Sequence, residues 1–263
     1  MTDAALEARA RPSVGHVRRA WRLAVTPLVL AGVVGALVLY LNSQDLDRIE
    51  RRRLNLDVIG TAVWVHIQLT VISTAIVIAI AVPLGIALTR PAARRLAPPV
   101  LGLANVGQAI PSIGVLAVFA MVVGLGREGV IVALVLYSLL SVLRNTMVGL
   151  EGIDRSLVDA ARGMGLSKLQ TLRKVELPLA VPVMLAGIRT ALILNVGTVT
   201  LATFTLGAPP NGSGALGEII NSGLRLGRID TVVLAGAVLT SVLALLVDWV
   251  AGLVEEALRP RGL

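Results

Sequence analysis

The chain has 263 residues, 56% of them hydrophobic and 15% charged, with a mean hydropathy of +0.84; a soluble domain carries nearer a quarter charged residues. That balance excludes an ordinary water-soluble fold and places the chain in a bilayer. The net charge of +8 calls for no nucleic acid, since most arginines flank apolar segments, and the lack of cysteine excludes disulfides and thiol ligands.

A spanning helix needs about 20 largely apolar residues. Residues 1–22 form a basic tail holding Arg9, Arg11, Arg18, Arg19 and Arg22. The apolar run 23–41 is longer than a signal-sequence core, and no small-x-small cleavage pattern follows Tyr40. It reads as a retained, additional N-terminal transmembrane helix. Residues 42–62 are expected to form an extracytoplasmic linker. Within it, 44–57 (QDLDRIERRRLNLD) mixes both charge signs. A short amphipathic helix on the outer surface and a solvated linker both remain open there, the linker being preferred.

Residues 63–257 contain five further apolar segments: 63–89, 96–125, 129–143, 177–206 and 231–254. The 129–143 segment is the shortest and runs on into polar residues. A short tail, 258–263, closes the chain. The expected fold is therefore all-α, with about six transmembrane helices. Pro83, Gly85, Pro111, Gly114, Gly187 and Gly197 punctuate the segments. Kinks are tolerated where neighbouring helices satisfy the freed backbone groups, and Pro111 is expected to bend the third segment.

The positive-inside rule sets the orientation. With the N-terminus inside, sixteen Lys/Arg residues fall on the cytoplasmic side and seven outside. Both termini are thus expected in the cytoplasm, together with the polar island 151–178. The cluster Arg51-Arg52-Arg53 is the exception.

Polar groups inside spans are costly in lipid and face protein or water. They are Gln68, Ser73, Thr74, Asn105, Gln108, Ser112, Ser138, Ser141, Asn195, Thr198, Thr200, Thr203 and Asp248. Their ordinary use is hydrogen bonding between helices. Asp248, near the inner end of the last segment, is expected to snorkel to the interface or pair with an arginine. No enzyme chemistry is visible. No G-x4-G-K-[ST] phosphate loop is present, and GMGLSK at 163–168 lacks the required Gly-Lys-Ser/Thr order. His16 and His66 are too far apart for a metal pair and read as structural or solvated.

The island reads EGIDRSLVDAARGMGLSKLQTLRKVELP. Ser156 precedes Asp159 by three residues and Ser167 precedes Gln170 by three, each a capping-box spacing. These predict helices over about 157–162 and 168–175, joined by an elbow at Gly163 and Gly165, with Pro178 marking entry to the next span.

Asp159-Ala160-Ala161, Gly165 and Val175-Glu176-Leu177-Pro178 together resemble the EAA loop (E-A-A-x3-G-x9-I-x-L-P) of bacterial ABC-importer permeases. The strings Q-x-I-P-S at 108–112, L-Y-S-L-L at 136–140 and R-N-T at 144–146 resemble the osmoprotectant branch of that family, which imports glycine betaine, choline and related solutes. The match covers about residues 60–257. It departs at Asp159, where the family has Glu, at the Pro/Gly-rich 207–218, and at the N-terminal helix.

The resemblance implies a MetI-like bundle whose loop is the coupling helix. Asp159, Ala160, Ala161, Gly165, Leu177 and Pro178 would contact a cytoplasmic ABC ATPase subunit, which binds the ATP and magnesium; this chain would hold no cofactor. An extracytoplasmic solute-binding protein and a second permease copy or paralogue are the other implied partners, in the cytoplasmic membrane of a bacterium. By resemblance and polarity, Gln108, Ser112, Asn195 and Thr198 are the candidates to line a transport path. Asn195 and Thr198, three apart, share a helix face.

Aromatic residues make up 3% of the chain, too few for a tight cation–π cage around a quaternary ammonium group. This fits capture by a separate binding protein. Three rival readings remain: a permease for an amino acid or sulfonate, an ATP-independent secondary carrier, and a non-transporting scaffold. Copurification with an ATPase and ATP-dependent uptake distinguish them.

Overall fold

The computed structural model describes residues 14–205 and 214–258. Most of the basic tail, the first part of the Pro/Gly-rich 207–218 stretch and the last five residues lie outside them. The described residues are helical, without strands. Five helices are long and apolar enough to cross a membrane, or six if one bent pair counts as a single span.

The chain divides into two units, Met1–Asp45 and Leu46–Leu263. The described part of the first holds one long helix, α1 (Val14–Asn42), with Pro27 inside it. Its residues Ala24–Asn42 meet the length and apolarity of a span.

The second unit begins with a short helix, α2 (Arg48–Arg53), so part of the expected linker is ordered. Its capping box explains why. The Asp47 carboxylate accepts from the Ile49 and Glu50 amides, and the Glu50 carboxylate accepts from the Asp47 amide. The same acids reach across the fold: Arg228 pairs with Asp47, and Thr231 donates to Glu50. The carboxyl of Asp47 is held below the ordinary aspartate range, first by the Glu50 amide.

The first long span of this unit, α3 (Leu56–Leu88), is capped by Asn55, which accepts from the Asp57 amide. The linker therefore ends earlier than 62. After the turn at Arg94–Leu96 comes the largest departure from expectation. The 96–125 segment is two helices, α4 (Ala97–Ala109) and α5 (Ser112–Val122). Counted from Arg94, they bend by 99°. Pro111 supplies the cause. It disfavours helical geometry in the residue before it, and Ile110 takes φ −80°, ψ 134°.

The central span α6 (Arg127–Glu151) is longer than the predicted 129–143. In its polar extension Asn145 donates to the Ser141 carbonyl, as Ser138 earlier in the helix donates to the Leu134 carbonyl, while the buried Thr146 hydroxyl has no partner among the described residues. The island follows as α7 (Arg155–Gly163) and α8 (Lys168–Thr171). Pro178 does not interrupt the chain there. A π-turn, Leu172–Glu176, runs directly into α9 (Leu177–Leu201), giving one candidate span over Lys168–Phe204. In the widened turn the Leu177 amide bonds the Leu172 carbonyl, and proline at the second position of α9 has no amide to leave unpaired there.

The expected outer loop contains an unforeseen helix, α10 (Leu216–Leu226), ended by Gly227 at φ +66°. A second π-turn, Ile229–Val233, opens the last span, α11 (Leu234–Leu258).

Spans α3 and α9 both pack against α6. Leu69, Val130, Leu134 and Val199 form one buried cluster; Val77, Ala81, Val142, Leu143 and Ala191 form another. In lipid such contacts act through close packing rather than removal from water, so small residues matter. Gly187 of α9 illustrates this, since a Cβ there would lie 2.5 Å from the Asn145 Cβ. Asp248 of α11 takes the paired alternative. Arg189 of α9 donates to both of its oxygens, at 2.5 and 2.7 Å, and also lies 3.6 Å from Glu255.

Candidate functional site

The island closes on itself through its caps. Asp154, not Ser156, caps α7, accepting from the Ser156 amide at 2.9 Å, so the helix starts two residues earlier than expected. That hydrogen bond leads the causes holding the Asp154 carboxyl below its ordinary range. Its pKa is depressed in the fold, so the cap is intact above the ordinary aspartate value and is lost only as pH falls through the depressed one. Ser167 and Gln170 form the expected reciprocal box at α8, with bonds of 3.3 and 2.9 Å.

The elbow between the two helices is a Schellman turn. Gly165 takes φ +88°, its amide bonds the Arg162 carbonyl, and the Leu166 amide bonds the Ala161 carbonyl. The predicted glycine elbow is thus present, with Gly165 as its left-handed residue. A Cβ at Gly165 would meet nothing within 4 Å, so the constraint there is backbone conformation alone. Gly165→Val is therefore expected to cost roughly 1–3 kcal/mol of local order. Membrane insertion should be retained while the 151–178 loop becomes more open to protease; unchanged protease resistance of the loop would contradict the need for a left-handed residue at this elbow.

The α7 helix is amphipathic. Ala161 faces inward at 1% exposure, while Leu157 and Met164 stand out at 48% and 76%. Ala160 lies between them at helical spacing and is also exposed, as is Asp159. Of the remaining predicted contact residues, Gly165 and Pro178 are exposed and Leu177 is half-buried. Among the described residues an ion pair that no local pattern announces fixes the loop to the bundle. Glu176, buried in the π-turn, accepts from Arg90 just beyond the end of α3, at 2.5 Å. The partners are 86 positions apart, so no local pattern joins them.

The four path candidates do not come together through any hydrogen bond. Gln108 of α4 donates to the Tyr137 carbonyl at 3.0 Å and the Ser141 hydroxyl at 3.2 Å, joining α4 to α6. Ser112 is the first residue of α5, immediately past the break, and is half-buried. Asn195 of α9 is fully buried and donates to the Ser73 and Thr74 hydroxyls of α3, at 3.1 and 3.0 Å. Thr198 is 5% exposed on the same face. His66, one turn along α3 from Thr70, is also buried rather than at a helix end, and its Nε2 meets the Val196 carbonyl at 3.0 Å. Asn195 Oδ1, His66 Nδ1 and Thr70 Oγ1 have no partner among the described residues. A polar seam therefore runs between α3 and α9, closed in this conformation and incompletely satisfied.

Helical throughout its described residues, with several apolar spans and a capped, exposed loop helix, the chain is a multi-pass membrane protein. Comparison with known proteins gives its kind. Residues 81–260 match the family described as binding-protein-dependent transport system inner membrane component. The glycine betaine/carnitine/choline transport system permease protein OpuCB of Bacillus subtilis (strain 168) is 39% identical over 75% of this chain and 87% of its own length. The osmoprotectant import permease protein OsmY of Salmonella typhimurium (strain LT2) is 41% identical, over 81% and 86%. Among solved structures, the inward-facing MetNI methionine ABC transporter matches with a TM-score of 0.64 and 27% identity, over 77% of this chain and 97% of that one. The chain belongs to the binding-protein-dependent transport permeases, the membrane components of such import systems.

Proposed function

We propose that this chain is the permease subunit of an ATP-driven importer for compatible solutes of the glycine betaine, choline or carnitine type, working by alternating access. The reading rests most on α7, a capped amphipathic helix that presents Leu157, Ala160 and Met164 outward from a loop of EAA type. A separate ATPase subunit binds ATP and magnesium and grips this helix, with Asp159, Ala160, Ala161, Gly165, Leu177 and Pro178 in or beside the contact. The solute class is supported by relatives named as osmoprotectant permeases. A solute-binding protein delivers the cargo on the far side, and a second permease copy or paralogue completes the path.

The test is uptake of labelled betaine, choline, carnitine and proline by the complex in vesicles. Uptake without ATP, or of none of these solutes, rejects the reading. For orientation we propose both termini and the 151–178 loop in the cytoplasm. Ser167→Cys should then react only with reagent added inside, and Leu224→Cys, exposed on α10, only from outside. The opposite pattern inverts the topology.

In the proposed path, Gln108 and Ser112 flank the α4–α5 break, while Asn195 and Thr198 become accessible as α3 and α9 part in the other state. Asn195→Leu leaves Ser73 and Thr74 without their shared donor. It should slow uptake or uncouple it from ATP hydrolysis while assembly persists. Unchanged kinetics in both Asn195→Leu and Gln108→Leu would leave these residues as interhelical ties only.

A further inference from the structure

A cavity of about 790 Å³ opens between α7, the C-terminal end of α6 and the turn that follows α3. Five arginines line it: Arg90, Arg94 and Arg95 from the turn, Arg155 and Arg162 from α7. Its carboxylates are Glu151, Asp159 and Glu176, and Glu176 is already engaged by Arg90. Among the described residues, no ion pair joins Arg94, Arg95, Arg155 or Arg162 to any acid. Guanidinium groups gathered around one cavity repel one another and present a surplus of forked donors. A multi-oxygen anion removes the repulsion and accepts those donors in pairs.

Position selects the kind of anion. Thr89 and Arg90 directly follow Leu88, the last residue of α3, and Leu150 and Glu151 are the last residues of α6. The cavity thus lies where two spans stop, at the level of lipid headgroups. Basic pockets at that level between spanning helices are suited to anionic headgroups. We propose that this cavity binds the phosphate of an anionic phospholipid from the leaflet on the loop side. The bound lipid ties the inner side of α7 to the membrane surface and leaves Leu157 and Met164 free on the outer side. The site rests on the helices being membrane spans and is independent of which solute is carried.

Native mass spectrometry of the purified full-length chain in detergent tests this directly, with phosphatidylglycerol and phosphatidylcholine as probes. The wild type should retain phosphatidylglycerol and release phosphatidylcholine. Arg94→Gln/Arg95→Gln, both outside the 151–178 loop, should weaken retention about fivefold per arginine, roughly twenty-five-fold together. Thermal unfolding checks that the variant is folded. If it is not, Arg155→Gln/Arg162→Gln carries the same expectation. Equal retention by a folded variant, or equal retention of both lipids, overturns the site. Displacement by millimolar inorganic phosphate assigns the cavity to a soluble anion and overturns the lipid. Displacement by the purified ATPase subunit at equal concentration assigns it to that partner and likewise overturns the proposal.

Discussion

Gly217→Ala is expected to prevent recovery of a stably folded protein. A Cβ at this position would lie 1.8 Å from the Thr200 carbonyl oxygen and 2.7 Å from its carbon. Both are backbone atoms near the C-terminal end of α9, so no side-chain rotation relieves the clash. The α10 helix must lift away, disturbing the buried Leu216 and Ile219 and the Glu218–Thr203 hydrogen bond. Overpacking generally costs about 1–3 kcal/mol and occasionally more; a collision with main chain belongs at or above the upper end. Gly197→Ala in α9 is the control, because a Cβ there meets nothing within 4 Å. It should be neutral or gain up to about 1 kcal/mol from helix propensity. Thermal unfolding in detergent compares the two, and wild-type stability in Gly217→Ala would contradict the placement of α10 against α9.

Glu176→Leu should nearly silence transport while leaving the spans inserted. The variant strands Arg90 at the end of α3 and removes the one ion pair between that end and the π-turn. Breaking a fully buried pair costs roughly 3–5 kcal/mol. The Arg90 side chain keeps 35% of its exposure against 7% for Glu176, so solvent screening lowers the expected cost to about 1–3 kcal/mol. Transport should fall about tenfold or more, since about 1.4 kcal/mol already corresponds to a factor of ten. The exchanged pair Arg90→Glu/Glu176→Arg should restore part of the uptake. If Glu176→Leu transports normally, the pair is only packing and the loop is held by other contacts.

Much of the architecture was legible because membrane helices advertise themselves by length and apolarity. Six apolar segments were readable, and each contains helix in the structure. Element ends were less accessible. The 129–143 segment looked short because Ser138, Ser141, Asn145 and Thr146 dilute its hydropathy, although the described bonds of Ser138 and Asn145 run to their own helix backbone. Pro111 announced a bend in the third segment. The 99° angle did not follow from one residue, since it depends on where α4 and α5 each pack. The α10 helix was hidden by a glycine-rich sequence whose glycines look like loop. In the fold Gly217 and Gly223 are instead contact points, against Thr200 and Val233.

The candidate site divides along the same line. The elbow at Gly165 and the Ser167–Gln170 box are local, and were visible as spacing. Asp154 won the α7 cap because its carboxylate reaches the Ser156 amide, while Ser156 itself became helical. An arginine partner for Asp248 was among the readable alternatives, but that it is Arg189, 59 positions away, and that Arg90 meets Glu176 across 86 positions, only folding reveals. The polarity of Asn195 was readable. Its burial against Ser73 and Thr74 was not, because it depends on the register between α3 and α9.

The continuity between α8 and α9 has a mechanical meaning. Residues Lys168–Phe204 form a run of 37 residues, roughly 55 Å at helical rise, with no break where the proline falls. A rod of that length is a lever. If α7 is pushed, a tilt of only about 10° sweeps the distant end through an arc of nearly 10 Å. Asn195 rides toward that distant end, so a small angular stroke delivered at the elbow would draw it away from Ser73 and Thr74.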